Sequence, residues 1–396
     1  MPLTGLSGTN LKNASNHNLR VMLQAIRLKG PLSRAELADH TGLTPQAVAY
    51  ITKKLIADGL VMDTGRRQGR RGQPATEIAI NPDGGYSIGV NIDRDHMTVI
   101  LLDISGKVRG RAHIEKNFML PEETFKWIEQ AFLRILKEND LTPDDLTGVG
   151  LAIPYKLGYL RLAITPPEFS VWRDYPSRQR LEKITGLPVF EENDATATAI
   201  GESQYGHGIE CRNFFYLFLA YGLGGGLILN GNYVSGGSGH GGEIGFAPIP
   251  GSGRVGNRPE NLQDRVSLAT LYAHLLKEGI SVSDPESLEH LYDTAPDEID
   301  KWLDGAAKDL LQPLIVIICA VNPGAILIGG RLPSRLIDKL NMFLQKRIEE
   351  FSDHLPDVPN FSRAICADDA AALGAAIVPF TRSLFPVQDV LLKKAD

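Results

Sequence analysis

Only three cysteines occur in the 396 residues, Cys211, Cys319 and Cys366, and no two stand at metal-ligand spacing. That scarcity excludes a disulfide framework and a thiolate metal site. It implies a reducing cytoplasm and a buried-hydrophobe role for each thiol. Long apolar runs are also missing. The best, Leu310 to Val321, is broken by Gln312 and Pro313, so no membrane span is expected. The N-terminus has no charged stretch leading into an apolar run, so no secretory leader is expected. Excess positive charge is lacking too, for the chain carries a formal net charge of −6. The charge is unevenly shared, however. Residues 1–80 hold 11 Lys and Arg against 5 Asp and Glu (+6), and the remainder hold 30 against 42 (−12). A basic head therefore sits on an acidic body, and only the head has the local positive potential that phosphate binding needs. The length suggests two or three domains.

The head reads as a helix-turn-helix. Ser33 with Glu36 three residues on forms a capping box, each side chain satisfying an orphan backbone N–H, and Leu37 and Ala38 supply a buried face. This helix stops at Thr41-Gly42. A second opens with Thr44 as N-cap and Pro45 at the first helical position, and its apolar residues Val48, Ile51 and Leu55 recur at helical spacing. Thr44, Gln46, Ala47, Tyr50, Lys53 and Lys54 are left on the side facing DNA, with Gln46 expected to read a base and the lysines to meet phosphates. An amphipathic stretch from Leu19 to Leu28 completes a trihelical unit. Behind it, Arg66, Arg67, Arg70 and Arg71 alternate with glycines, as in a wing that places arginine in a narrow, A·T-biased minor groove. An arginine run alone is as easily a solvated loop; its position behind a helix-turn-helix favours DNA.

After the turn-rich Asn81 to Gly85, the body shows strand-like runs at Tyr86–Ile92, Met97–Ile104 and Val108–Glu115, a helix from about Glu122 to Asn139, and a strand from Gly148 to Ile153. A second unit starts near Ala195, with strands Phe214–Ala220 and Gly225–Asn230. It closes with helix Ala306–Ala320, strand Ala325–Ile328, and helices near Ser334–Phe351 and Asp369–Val378. The alternation argues an α/β body with mixed sheets.

A winged helix-turn-helix followed by Gly89-Val90-Asn91-Ile92-Asp93, Glu192-Asn193-Asp194-Ala195, Leu223-Gly224-Gly225-Gly226 and Gly239-His240-Gly241-Gly242-Glu243-Ile244-Gly245 resembles the ROK family of repressors and sugar kinases. The resemblance covers nearly the whole chain. It implies an actin-like (ribonuclease H-like), two-lobed body of the sugar-kinase type behind the winged helix-turn-helix. The expected domains are 1–80 for the head, 81–195 completed by about 365–396 for the first lobe, and 196–364 for the second.

Family kinases hold ATP phosphates with an Asp-x-Gly-Gly-Thr-like turn and a Gly-Thr-Gly turn, whose glycine N–H groups approach the phosphate oxygens. Here the first reads Asn91-Ile92-Asp93-Arg94-Asp95 and the second Ala220-Tyr221-Gly222. Two carboxylates about 5 Å from a polyphosphate repel it by several kcal/mol at an intermediate dielectric, and a tyrosine ring replaces a small hydroxyl. No ATP cofactor and no catalytic residues are therefore expected. Nor is zinc, because Phe246 stands at the family's zinc-binding histidine and Gly251 to Gln263 contains no cysteine. By resemblance, Asn193, Asp194 and Glu243 bind sugar hydroxyls, Asp194 at the position of the kinases' general base, and Gln263 and Glu168 stand at two altered sugar-pocket positions. Asn193-Asp194 has a plainer reading as a helix cap.

The function implied is a cytoplasmic, homodimeric or homotetrameric repressor, released from its double-stranded DNA operator by a monosaccharide or derivative. Two other readings stay open: a sugar kinase carrying a DNA-binding head, and a regulator whose body only dimerises.

Overall fold

The computed structural model describes residues 11–66, 76–159, 162, 165–249, 251, 253–255, 258–282, 284–366 and 369–386, with residues 11, 12 and 66 as backbone alone. Arg67, Arg70 and Arg71 of the expected wing lie outside the described residues.

The head comprises α1 (Leu11–Lys29), β1 (Leu32–Ser33), α2 (Arg34–Thr41), α3 (Pro45–Ala57), β2 (Val61–Arg66) and β3 (Thr76–Ile80), with the strands in the order β1-β3-β2. Local chemistry sets its helix boundaries. Ser33 Oγ accepts from Glu36 N at 3.2 Å while Glu36 Oε2 accepts from Ser33 N at 2.8 Å, and Gly42 closes α2 at φ 68°. Thr44 Oγ1 accepts from Ala47 N at 3.3 Å, ahead of Pro45. Met22, Leu23, Leu37, Val48, Ile51, Leu55 and Ile78 form one core, so α1 begins well before the expected Leu19 and packs across both later helices.

The body repeats one topology twice. In the first sheet, β4 (Tyr86–Ile92), β5 (His96–Asp103) and β6 (Val108–Glu115) run antiparallel. After α4 (Pro121–Glu138), β7 (Leu146–Ile153) joins β4 in parallel; after α5 (Ser177–Thr185), β8 (Val189–Asn193) joins β7. The order is β6-β5-β4-β7-β8. α6 (Asp194–Tyr205) then crosses to the second lobe, which contains β9 (Phe214–Leu219), β10 (Leu223–Leu229), β11 (Asn232–Tyr233), a small hairpin of β12 (Arg254–Val255) and β13 (Arg258–Pro259), α7 (Leu268–Lys277), α8 (Pro285–Leu291), α9 (Pro296–Val321), β14 (Ala325–Gly330), α10 (Ser334–Glu349) and β15 (Asn360–Arg363). Its sheet order, β11-β10-β9-β14-β15, repeats the first. α11 (Ala370–Ser383) returns to pack on β4, β7 and α6. Central strands such as β9, Phe-Phe-Tyr-Leu-Phe-Leu, are buried along their whole length because helices or loops cover both faces.

Two features differ from the sequence reading. α9 starts at Pro296, ten residues ahead of the expected Ala306. Its buried Ile299, Leu303, Ala307, Leu310, Leu314 and Ile318 keep a helical period straight through Pro313. None of the thiols is a fully buried hydrophobe: Cys319 is exposed and Cys211 and Cys366 only partly covered. Among the described residues no helix is long and apolar enough to cross a membrane.

Candidate functional site

Among the described residues, two cavities flank the turn Asp93–Asp95 on opposite sides. The larger, about 800 Å³, opens between the lobes and is lined by Asp95, Glu115, Gly330, Arg331 and Ser334 among others. The smaller, about 30 Å³, is lined by Arg94, Tyr155, Asn193, Asp194, Glu243, Phe246 and Gln263 together with the strand ends at Phe218, Ala220 and Gly222–Gly224. The chemistry gathers in the smaller one.

Close backbone packing delivers its acids. Gly225 and Gly242 lie against each other: a Cβ on Gly225 would stand 2.6 Å from Gly242 O, and one on Gly242 2.8 Å from Gly225 O. The glycine clusters thus let the loop carrying Glu243 lie flat on β10. Asn193 ends β8 and does two jobs. Its Oδ1 accepts from Thr196 N at 3.1 Å and caps α6, while its Nδ2 donates to Glu243 Oε1 at 3.1 Å. Asn193 is therefore a helix cap and also lines the cavity. Asp194 Oδ1 accepts from Ala195 N at 2.8 Å. Burial, followed by the neighbouring Asp93 and Glu243, raises the Asp194 carboxyl to about 8, and burial raises Glu243 to about 7. Gln263 is buried, and its Nε2 has no partner. Tyr155 roofs the cavity between His240 and Phe246, at ring-centroid separations of 3.8 and 5.9 Å.

Glu168 does not join them. It is exposed on the 3₁₀ turn Pro167–Trp172, whose buried side is taken by Phe169 and Trp172, and it is not among the lining residues.

The turn Asp93–Asp95 differs from its sequence expectation. Its carboxylates are not bare. Asp93 Oδ1 accepts from Arg94 N at 2.7 Å and lies 3.3 Å from Arg94 Nη1. Asp95 Oδ1 bonds His96 Nδ1 at 2.7 Å, and the Asn91 side-chain amide stands 2.9 Å from His96 Nε2. Arg331 reaches across from the second lobe, donating to Glu115 at 2.6 and 2.8 Å with its Nε 3.4 Å from Asp95. Burial alone would raise Asp95, but His96 and then Arg331 outweigh it and hold the carboxyl at about 2. Repulsion by two uncompensated charges is thus largely cancelled. Two of the turn's N–H donors are already taken: Arg94 N is held by Asp93 and Asp93 N by His96 O at 3.1 Å. In the second turn Ala220 N bonds Gly222 O at 3.0 Å. The Tyr221 ring that replaces the small hydroxyl turns into the protein. It is buried edge-on against Phe118 at 5.6 Å, in a small cluster with Leu162 and Ala269.

Asp93, Asp95 and His96 also form the one cluster of potential metal ligands among the described residues. Both His96 ring nitrogens are engaged and Arg94 and Arg331 supply the countercharge, so the set offers a cation little. Near Phe246, the described part of the 248–263 loop is held by bonds between Arg258 and Asp264 at 2.6 and 2.7 Å, and between Arg265 and Glu260 at 3.1 and 2.9 Å.

On the head, Thr44, Gln46, Lys53 and Lys54 are exposed, Tyr50 is 67% exposed and Ala47 partly so. All belong to α3 or its cap, on the side away from Val48, Ile51 and Leu55. The head is not hung on a free linker. Arg20 Nη1 donates to Phe385 O at 3.0 Å, and Arg27 Nη2 and Gln24 Nε2 donate to Gln204 Oε1 at 2.6 and 3.1 Å. The Arg27 guanidinium lies 5.1 Å from the Tyr205 ring centroid and 4.7 Å from that of Phe385. Sequence reasoning missed Arg94, Tyr155 and this junction. Only Arg94 carried a local signal, as a bulky cation in a turn where glycine was expected.

A winged helix-turn-helix fused to two lobes of like topology, meeting at a polar cavity, defines a DNA-binding head on a sugar-kinase-type body. The comparisons agree: the winged helix-turn-helix DNA-binding pattern matches residues 15–62 and the ROK family pattern residues 87–380. The chain belongs to the ROK family. It is 30% identical to the xylose repressor of Bacillus spizizenii over 61% of this chain and 63% of that protein. It is 30% identical to the glucokinase of Halalkalibacterium halodurans over 73% of this chain and 93% of that protein. A solved ROK family transcriptional regulator, described as a homologue of the Escherichia coli MLC protein, superposes with a TM-score of 0.71 at 22% identity, over 93% of this chain and 96% of that one.

Proposed function

We propose that the protein is a sugar-responsive transcriptional repressor, whose head (1–80) is released from operator DNA when a monosaccharide or derivative enters the cavity of the body. The observation that carries this reading is a single helix. α6 holds Asn193 and Asp194 at its N-terminus, in the cavity, and Gln204 and Tyr205 at its C-terminus, under α1 of the head. Its 12 residues span about 18 Å. A cavity of about 30 Å³ has room for about two water molecules, so a sugar enters only as the lining parts. Asn193 and Glu243, one from each lobe, are bonded across that parting. Ligand that favours a different separation of the lobes then moves α6 and with it the head. In a homo-oligomer this changes the spacing of paired heads relative to half-sites about one helical turn apart.

Phosphoryl transfer is not part of this reading. The N–H groups of Asp93 and Arg94, in the turn that would meet a phosphate, are already engaged within the protein. The domain division follows the expectation above: head 1–80, first lobe 81–195 with about 365–396, second lobe 196–364.

The test uses operator duplexes selected from random DNA and a sugar panel, read by fluorescence anisotropy. Wild type is expected to lose operator affinity with an inducing sugar. Asp194→Ala should keep the operator but need about one to two decades more sugar for release, since a lost partner to a buried hydroxyl costs roughly 1–3 kcal/mol. Release at the wild-type concentration would place the pocket elsewhere, and failure to bind DNA would make Asp194 purely structural.

A further inference from the structure

Resting on the sugar-sensor reading of the small cavity, we infer that its ligand is an acidic sugar, whose carboxylate or phosphate is received by Arg94 beside Asp194. Arg94 lines the same cavity as Asn193, Asp194 and Glu243, yet it is only 3% exposed. A guanidinium carries five N–H donors in a fixed fork, and this one has a single partner, Asp93 Oδ1 at 3.3 Å from Nη1; Nε is buried with none.

The plainer alternative is that Arg94 merely neutralises Asp93. Its geometry is poor for that task. The same Asp93 oxygen already accepts the Arg94 backbone N–H at 2.7 Å, leaving one long side-chain contact. Arg331, whose Nε is also buried without a hydrogen bond, nonetheless makes a much closer pair, with Nη2 at 2.6 and 2.8 Å from the two Glu115 oxygens. Burying a cation without full partners is costly, and a fork of donors fits two anionic oxygens better than one hydroxyl. The turn also sorts its charges by side: Asp95 faces the larger cavity with Arg331, and Arg94 faces the smaller.

The other titratable groups lining the small cavity reinforce this. Asp194 at about 8 and Glu243 at about 7 are largely uncharged acids below neutral pH. Asp93, at the edge, is held above its ordinary range by burial and by Asp95. Arg94 is then the lining group that keeps a full charge, with Asp194, Glu243, Asn193 and Gln263 left to bond hydroxyls.

The experiment is calorimetric titration of the full-length protein at about pH 6. Glucose, galactose, xylose and N-acetylglucosamine are compared with glucuronate, galacturonate and the 6-phosphates of the hexoses. The tightest ligand is expected to be anionic and to exceed its neutral parent by about tenfold or more, which is about 1.4 kcal/mol. The uronate and phosphate arms tell which anion is used. Arg94→Ala should bring the pair within about threefold, and Arg94→Lys should retain part of the difference, a point charge replacing the fork. A neutral sugar binding as tightly as its acids, or a preference that survives Arg94→Ala, overturns the inference and leaves the sugar-sensor reading intact. No binding by any member, with the operator never released, overturns both. If Arg94→Ala does not fold, the wild-type comparison decides alone.

Discussion

Gln204→Ala separates coupling from binding. Gln204 sits at the far end of α6 from the cavity, and its Oε1 accepts from Arg27 at 2.6 Å and from Gln24 at 3.1 Å. Arg27 lies between the rings of Tyr205 and Phe385, where burial already lowers its pKa. Removing the acceptor leaves a half-buried cation short of a partner, a loss of roughly 1–3 kcal/mol. Arg27 keeps Gln24 Oε1 at 3.2 Å and its ring contacts, so the low end, about 1 kcal/mol or a factor of about five, is the working figure. Neither the recognition face of α3 nor the cavity is touched. Operator affinity without sugar, and sugar affinity without operator, should both stay within about twofold of wild type. The ratio of operator affinities with and without saturating sugar should shrink by about fivefold. Linkage demands that the ratio of sugar affinities with and without operator shrink equally, so anisotropy and calorimetry check each other. An unchanged ratio, with both affinities intact, would show that α6 does not carry the signal.

Three further outcomes are expected. Lys53→Ala and Lys54→Ala should weaken binding to all duplexes alike and lower the salt slope by about one each, whereas Gln46→Ala should relax preference at one base position; a slope and a preference left as in wild type would take α3 off the DNA. A coupled assay with ATP and the sugar panel should find no phosphorylation, and turnover of about one per second or more would refute the regulator-only reading. Asp194→Asn should raise thermal stability, more at pH 8 than at pH 5. The folded carboxyl holds its proton to about 8 while the unfolded one releases it near 4, so wild type loses stability as pH rises through that window and the amide does not. A pH-independent difference would mean that Asp194 is not a protonated acid.

What the sequence shows and hides follows from the range of each interaction. Ser33 with Glu36, and Thr44 with Pro45, act within a turn of chain, so the head could be read from spacing alone. The three antiparallel strands from Tyr86 to Glu115 were legible for the same reason. Glu168 was misplaced because position in a motif says nothing of which side of a 3₁₀ turn faces the core; Phe169 and Trp172 take that side. The letters show a ring at Tyr221 but not its direction, which is set by Phe118 from a distant part of the chain. The charge of Asp95 could not be judged without Arg331, nor that of Asp93 without the backbone of Arg94. Asn193 shows a subtler limit. Cap and ligand-pocket readings look exclusive in a string of letters, yet an amide has two ends, and here one serves the helix and the other Glu243.

The packing of α6 gives a displacement at Asp194 a direct route to the head. α6 and α11 cross so closely that a Cβ on Gly374 would run into Ala197 O, and one on Gly201 would stand 3.2 Å from the Gly374 Cα. Helices interlocked at that distance cannot slide independently; they move as one body. α1 of the head rests on both, through Gln204 and Tyr205 of α6 and through Arg382 and Phe385 at the end of α11. Asn193, the cap of α6, is meanwhile bonded to Glu243 of the second lobe. Any parting of the lobes wide enough to admit a ring of hydroxyls must therefore pull on the start of α6 or break that bond. In the first case the head travels with the α6–α11 pair, and in the second Asn193 and Glu243 exchange each other for the ligand.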